Sequence, residues 1–364
     1  MPKRLSTILA PQDLGAVGTE VIGITAKDVI SRIDIFFKVT NATVSVMLDA
    51  VTAGLSKIEL VDGSEVLVSI SGAELQAINY YDSKVMPHHE INLTVGGFFE
   101  IGLSLDFGRF LWDTEFAFIP TNFSNPQLRI TWDEDAVNTS AVVNELAVYA
   151  YSFGDDGPSP AAMLINRQIK EYAEAASSTE YSKLPVDRVI RKIILRGFSE
   201  DHDPIAQFDT IKLSNDNDAH VQLEIAAADL DRILSRVYPR IGEKYTLDNA
   251  VTAKTLYSAL SKDQQISISY DATAFVTAQS LFAVATWTGA KCALAASVDI
   301  KGEDAEVSGR MPANCFPLDF GIANEQDTWL QAQNFGSLLL TLKSSSGADS
   351  GDTTSIVVQQ VRQY

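Results

Sequence analysis

The sequence repeats a series of short segments in one fixed order. The tetrapeptide LDFG occupies residues 105–108 and again 318–321, and six other segments within 19–153 have counterparts within 179–364. The paired segments share their apolar and turn pattern, and they are TEVIGITAKDVISRIDI with TEYSKLPVDRVIRKIIL (from 19 and 179), KIEL with TIKL (57 and 210), Val66–Ile70 with Val221–Ile225, GAELQAI with AADLDRI (72 and 227), LRITW with LLLTL (128 and 338) and AVYAY with QVRQY (147 and 360). Because unrelated segments would not keep one order, the sequence predicts a domain duplicated within one chain.

The spacing of these pairs predicts the boundaries of the two copies. We expect a first domain at 19–153 and a second at 179–364, with an N-terminal arm at 1–18 and a linker at 154–178. LDFG lies further from the preceding segments in the second copy. This predicts a large structured insertion within 239–317, since surface loops accept added residues at a small entropic cost.

Most of the chain has the pattern of β-strands. Ile33, Ile35, Phe37 and Val39 occupy every second position, and this period of two places them on one face of a strand. Similar segments recur between turn signals, with little of the strand–helix alternation that parallel sheets require. We therefore predict antiparallel sandwiches with about eight strands in each half.

Each half also contains one short predicted helix after its first strands. In the first half Ser71 and Glu74 form the pattern of a capping box, which satisfies free backbone N–H groups at a helix start. In the second half Ala226 replaces the serine. That helix depends instead on an apolar stripe of Leu230, Ile233, Leu234 and Val237.

The linker is predicted to carry a further helix. Ser159 can cap it, and Pro160 suits its first turn, where a missing N–H costs nothing. The residues expected on its buried face are Ile165, Ile169, Tyr172 and Ala176.

The paired blocks resemble a known family. The blocks are SRIDIFFKVT with RVIRKIILRG, the segments from GLSKIEL to LQAIN and from FDTIKL to LDRIL, and LDFG in each half. They resemble the double jelly-roll major capsid proteins of icosahedral viruses with an internal membrane, of the tectivirus and corticovirus type. The resemblance covers nearly the whole chain. It implies an all-β fold of two tandem eight-stranded jelly-roll sandwiches, each with a short helix, the second with the large insertion.

The resemblance also implies an assembly and its partners. Three chains would form a homotrimer whose six similar lobes imitate a hexagon, and such tiles build the virion shell of viruses that include bacteriophages. The expected partners are neighbouring capsomers, penton and minor capsid proteins and the internal membrane. Lys3 and Arg4, in the arm, would then lie near anionic lipid. Assembly would take place in the host cytoplasm, because the N-terminus has no apolar block long enough for a secretory signal.

The charge balance excludes one class of function. The formal net charge is −19, and an acidic surface repels phosphate backbones, so we expect no direct binding of nucleic acid. The two cysteines, Cys292 and Cys315, form no CxxC motif and are expected to be free thiols.

No catalytic constellation stands out among the residues. Nucleotide-binding and hydrolase motifs are absent from the sequence, and the adjacent His88 and His89 would point to opposite faces of a strand. His202 and His220 occupy polar segments. We therefore predict a structural protein without catalytic residues, cofactor or small-molecule substrate.

Acidic turns supply the only metal candidates. Asp201, Asp203, Asp216 and Asp218 are close enough in sequence to offer oxygen ligands to calcium, although the twelve-residue calcium loop with its glycine is not present. Acidic turns between strands explain the same residues.

Two alternative functions remain open at this point. A two-jelly-roll amidase acting on glycoproteins would use carboxylates in a cleft between the domains. A carbohydrate-binding spike or lectin would also fit a β-sandwich. In the amidase, sugars would stack on tryptophans, and the candidates are Trp112, Trp132, Trp287 and Trp329.

Overall fold

The computed structural model describes residues 3–42, 47–138, 141–154, 157–199, 202–247, 254–269, 284–288, 291–295, 303–349 and 351–364. The elements of the first half are β1 (Lys3–Asp13), β2 (Val17–Gly23), β3 (Ile30–Asn41), β4 (Lys57–Asp62), β5 (Glu65–Ile70), α1 (Gly72–Ser83), β6 (His89–Leu93), β7 (Phe98–Asp106), β8 (Pro126–Asp133) and β9 (Ala141–Phe153). Those of the second half are β10 (Ala162–Ala173), β11 (Thr179–Leu184), β12 (Ile190–Phe198), β13 (Phe208–Asn215), β14 (His220–Ala226), α2 (Ala227–Val237), β15 (Ile241–Leu247), β16 (Lys254–Tyr257), β17 (Leu260–Ser269), β18 (Val284–Thr288), β19 (Lys291–Ala295), β20 (Glu303–Pro312), β21 (Cys315–Asp319), β22 (Leu338–Ser344) and β23 (Thr353–Gln363). Short 3-10 helices occupy Val51–Gly54, Pro120–Asn122, Pro204–Gln207, Gln326–Thr328 and Ala332–Asn334.

The two halves repeat one strand order. In the first half the two layers are β1-β9-β3-β7 and β2-β8-β4-β5, and in the second they are β10-β23-β12-β21 and β11-β22-β13-β14. A helix follows the fifth strand of each half, α1 after β5 and α2 after β14. The fold is therefore all-β, with two tandem eight-stranded jelly rolls, as the resemblance implied. We call residues 3–153 the first unit and 162–364 the second unit.

Alternating side chains form the core of each unit. Ile33, Ile35 and Phe37 on β3 are completely buried, and so are Ile193 and Leu195 on the equivalent strand β12. Burial of a large aliphatic side chain contributes about 1.5–3 kcal/mol, which makes this alternation the main determinant of which face turns inward.

Each paired segment occupies the same position in the two units, but two registers differ from the sequence comparison. Ile58 pairs with Ile130 in the first unit, and its counterpart Ile211 pairs with Leu342. The counterpart of Ile130 is therefore Leu342. The sequence comparison had matched Ile130 with Leu340, which lies two positions earlier on the same face of the strand.

The last strand shows the larger register difference. Asp34 pairs with Tyr149, and its counterpart Ile194 pairs with Val357. Tyr149 is therefore equivalent to Val357, whereas matching AVYAY to QVRQY assigned it to Arg362. That assignment is wrong by an odd number of residues, which places the side chain on the opposite face.

The first strand of each unit lies where no strand was predicted. Residues 3–13, expected in an N-terminal arm, form β1 and pair with β9. The prediction of a helix in the linker is also wrong, because Ala162–Ala173 forms the strand β10, which pairs with β23.

A shared irregularity shows that β1 and β10 are equivalent. The pairing register of β1 with β9 shifts around Ile8, and that of β10 with β23 shifts around Ile169. The two bulges lie opposite equivalent positions of the partner strands, which are Val148–Tyr149 and Ile356–Val357. A bulge adds one residue to a strand, so the spacing of buried side chains changes from even to odd. Ile165, Ile169 and Tyr172 therefore acquire a spacing that resembles a helix.

The two predicted helices are confirmed, with different caps. Ser71 accepts a hydrogen bond from the Glu74 backbone N–H, while the Glu74 carboxylate accepts one from the Ser71 N–H, which completes the predicted capping box. α2 begins behind Ala226 without a side-chain cap. Its predicted apolar stripe is only half buried, because Ile233 and Val237 remain 51% and 44% exposed.

The insertion extends the first unit. β15 pairs in parallel with β6, and β20 and β17 continue that sheet outward. β16, β19 and β18 form a separate three-stranded sheet. Within the described residues, neither helix is long and apolar enough to span a membrane.

Candidate assembly interface

The two units meet at the paired edges of two of their sheets, and α1 packs onto the second unit beside this junction. β5 of the first unit pairs in parallel with β10 of the second, with Ser69 opposite Arg167. This joins half of each unit into a continuous eight-stranded sheet. α1 closes the edge beside β5 and packs against β12 and β21. α1 also packs on β7 and on the 3-10 helix Val51–Gly54 of its own unit. Ten of the twelve residues of α1 are buried between these surfaces, against three of the eleven in α2.

A buried ion cluster connects α1 to the second unit. The Asp82 carboxylate accepts hydrogen bonds from Arg191 (2.7 Å) and from Lys192 Nζ (2.6 Å). Arg191 is 3% exposed and Lys192 is 4% exposed. Burial by itself raises the pKa of Asp82, but Lys192 and Arg191 hold that pKa below its ordinary value. Charges this deep require their partner, because an unpaired buried charge is strongly destabilising.

Tyrosines fill the space beside this cluster. The Tyr81 hydroxyl donates to the carbonyl oxygen of Cys315 at 2.6 Å, and the Tyr80 hydroxyl donates to that of Pro239 at 2.6 Å. The Tyr81 and Tyr238 rings are 4.8 Å apart and nearly perpendicular. The last turn of α1 therefore fills a groove of the second unit between β12, β21 and Tyr238.

The equivalent face of the first unit is open. Arg32 on β3 binds Asp106 on β7 through two hydrogen bonds of 2.6 and 3.1 Å, and Ser104 donates to Asp34 at 2.7 Å. Burial raises the pKa of Asp34 and takes that of Asp106 to about 6. These side chains line a groove of about 290 Å³ that also contains Phe36. The part of the first unit that matches the covered face of the second is thus partly exposed and acidic.

The carboxylates considered for calcium have protein partners wherever the structure describes them. Asp203 pairs with Lys262, and Asp218 pairs with Lys212 at 3.1 Å. Asp216 accepts the backbone N–H groups of Gly336 (2.7 Å) and Ser337 (3.3 Å), which lower its pKa. Asp201 lies outside the described residues. In the described ranges no group of three metal-ligating side chains could hold an ion.

The histidines are also separate from one another. His88 lies within 3.1 Å of Glu100 at the rim of the open groove. His89 follows it on β6, His202 lies in the turn before β13, and His220 begins β14 of the other unit. Within the described residues, none of the four histidines belongs to a group of three side chains that could hold a metal ion.

The tryptophans serve mainly as structural side chains. Trp132 and Trp329 are buried, and their indole N–H groups donate to the carbonyl oxygens of Gly15 and Ile322. Trp112 packs edge-on against the Phe153 ring. The side chain of Trp287 lies outside the described residues.

Lys3 and Arg4 belong to a strand end and have local contacts. Lys3 Nζ lies 4.8 Å from the centre of the Trp112 ring, and Arg4 binds Asp28 at 2.9 Å. Cys315 is a buried free thiol whose pKa is raised by burial, and the Cys292 side chain lies outside the described residues.

Sequence reasoning missed the interface cluster. The only signal was the adjacent basic pair Arg191–Lys192 directly before the apolar run Ile193–Leu195. Nothing in the sequence indicated that its partner would be Asp82.

No known protein family and no curated protein matches this sequence. Solved structures do match over the full length. The MCP of STIV superimposes with a TM-score of 0.64 at 12% identity, covering 100% of this chain and 97% of that one. The major capsid protein P2 from bacteriophage PM2 gives 0.57 at 12% identity, covering 100% and 98%. The PBCV-1 virus capsid gives 0.57 at 9% identity, covering 99% and 94%.

These similarities define the class of fold. This chain has the double jelly-roll fold that those viral major capsid proteins share. At such low identity the likeness concerns the fold, and the function is argued separately below.

Proposed function

We propose that this chain is a structural protein of an icosahedral virus shell, a major capsid protein without enzymatic activity or cofactor. The observation that carries the proposal is the superposition of the whole chain on double jelly-roll capsid proteins, with both units and nearly the full length of each relative included. A fold duplicated end to end supplies two similar lobes. Such a repeat suits a tile that must contact many neighbours in similar ways.

The internal contact between the units suggests how copies associate. In each chain β5 of the first unit pairs with β10 of the second. The equivalent strands are β14 of the second unit and β1 of the first, and in the part of the chain that the structure describes both are outer edges of their sheets. Exposed edges are templates for further pairing. We propose that β14 of one chain pairs with β1 of the next, so that three chains close a ring of six lobes.

The contact point can be specified from the pairing registers. Val358 pairs with Arg167 on β10, and its counterpart Ala150 pairs with Ser6 on β1. Ser69 on β5 corresponds to Glu224 on β14, because both are one residue before the last isoleucine of the strand. The expected neighbours across the trimer are therefore Glu224 of one copy and Ser6 of the next.

The remaining partners follow from the capsid role. We propose contacts with adjacent capsomers and with penton and minor capsid proteins, localisation in the virion and assembly in the host cytoplasm. Lys3 and Arg4 remain our candidates for contact with an internal membrane. The units proposed as domains are the two defined above, with strands β1 and β10 included.

The amidase and lectin alternatives gain no support from the site. Trp132 and Trp329 are buried in the protein and cannot present a face to a sugar.

The oligomeric state tests the proposal. Size-exclusion chromatography with light scattering on the purified chain is expected to give a trimer at micromolar concentration. Electron microscopy should show particles with a hexagonal outline. A chain that remains monomeric at this concentration would contradict a capsid role. Glycan binding on an array would favour the amidase or lectin alternative, and its absence would remove both.

A further inference from the structure

The two helices occupy equivalent positions but have different surroundings. The residue pairs Leu75–Leu230 and Ile78–Ile233 align α1 with α2, and this places Tyr81 opposite Arg236 and Asp82 opposite Val237. In α1 this last turn is buried against the second unit. In α2 the turn is exposed and carries Ile233, Arg236 and Val237.

The two units have equivalent grooves. The groove of the second unit is filled, and that of the first unit is open. In the second unit Cys315, Lys192 and Asp319 border the groove that the α1 turn fills. The strand registers make Gly102, Arg32 and Asp106 their counterparts. All three line the open groove of the first unit. Among the described residues, the chain thus contains one occupied and one unoccupied version of the same contact.

Charge complementarity selects what fits the open groove. Asp34 and Asp106 face Arg32 there, which leaves one negative charge in excess. Within α2, Asp229 pairs with Arg232 and Asp231 pairs with Arg310. Arg236 is exposed and makes no ion pair with any other described residue. The exposed turn of α2 is therefore basic where the open groove is acidic.

We propose that the last turn of α2 of one copy docks into the groove between β3 and β7 of the next copy, with Arg236 between Asp34 and Asp106. This rests on the proposed trimer and adds the contact that specifies it. Ile233 and Val237 lose their exposure in the same step and pack beside Phe36. The occupant is a second copy of this chain.

The two contacts have opposite charge polarity. Inside the chain an acidic helix residue, Asp82, meets the basic pair Arg191 and Lys192. Between chains a basic helix residue, Arg236, meets acidic strand residues. Docking of α2 on a second unit would first require α1 to leave its groove. It would then set Arg236 against Arg191 and Lys192, and like charges at an interface disfavour the wrong partner. α2 is therefore left with the open groove of a first unit, so that first and second units alternate around the proposed ring.

Charge reversal on the full chain tests this contact. Arg236→Glu should raise the protein concentration at which half of the trimer dissociates by about 100-fold, since losing one partner of a desolvated charge pair weakens binding strongly. The matched control is Lys183→Glu, because Lys183 is an exposed lysine on β11, away from both grooves. Asp34→Lys alone should weaken the trimer as well. The double variant Arg236→Glu with Asp34→Lys should restore it.

A second measurement does not depend on affinity. Chains carrying Ser104→Cys are mixed with chains carrying Arg236→Cys and treated with a short bis-maleimide, with the unsubstituted chain as control. A cross-linked species in the mixture alone supports the contact. A trimer that is unaffected by Arg236→Glu and yields no cross-link overturns the groove proposal and leaves the capsid proposal standing. A wild-type chain that forms no trimer overturns both.

Discussion

Removing the charge of Asp82 probes the contact between the two units directly. Asp82→Asn keeps the size of the side chain but leaves Arg191 and Lys192 buried without a carboxylate at 2.6–2.7 Å. Breaking a buried pair costs about 3–5 kcal/mol. Lys192 retains Asp319 at 3.5 Å and Arg191 retains Gln359 at 2.7 Å. We therefore expect Asp82→Asn to lower the free energy of unfolding by about 3 kcal/mol, near the lower end of this range.

Urea unfolding, followed by tryptophan fluorescence, measures this loss. Protein concentration must be held constant, because association shifts the apparent stability by mass action. Asp209→Asn is the matched control, since Asp209 pairs with Lys343 at 3.2 Å with both side chains about half exposed. Such exposed pairs contribute about 0–1 kcal/mol.

The pH dependence gives the sign of the effect. The pKa of Asp82 in the folded protein lies below its ordinary value of 3.8. The contribution of the Asp82 carboxylate to the free energy of unfolding is therefore fully present above pH 3.8 and is lost as the pH falls through the pKa of the folded protein. The difference between wild type and Asp82→Asn should be constant near neutral pH and shrink only in strong acid. A loss no larger than that of Asp209→Asn at pH 7 would refute the assignment of Asp82 as the central anion of the interface.

Two further predictions concern the core and the helix caps. Leu105→Asp should prevent soluble expression of the folded chain, because Leu105 is 1% exposed and the new carboxylate would be buried unpaired; Val142→Asp, at an exposed site on β9, should express normally, and equal yields would show that the buried face of β7 is misassigned. Ser71→Ala should lower the unfolding free energy by about 1 kcal/mol, since it removes the cap of α1. Ala226→Ser should raise the free energy of unfolding, because it adds a cap to α2. If thermal denaturation showed no change of opposite direction in the two variants, the capping role would be contradicted.

The sequence alone predicted the duplication, the strand-rich architecture and the capped helix. These features depend on local pattern: alternation of apolar residues decides which face is buried, and Ser71 with Glu74 lie within one turn. For the same reason the paired segments kept their order, and LDFG falls at the end of β7 and of β21.

The sequence pattern gave wrong predictions where tertiary contacts override the alternation of apolar and polar residues. β1 and β10 each contain a bulge, so their apolar spacing does not have the period of a strand, and only pairing with β9 and β23 defines them. β23 is buried on both faces over most of its length. A strand covered on both sides has no polar face from which to read its register, and the match of AVYAY to QVRQY was wrong.

The interface itself was decided by the tertiary structure. Asp82 is separated from Arg191 by 109 positions in the chain, and no local rule connects a residue at a helix end with a strand of the other unit. α1 and α2 have similar sequences and equivalent places, yet one is buried and the other exposed. The reason is physical: burial of a surface depends on what lies opposite, and within one chain only α1 has the second unit beside it.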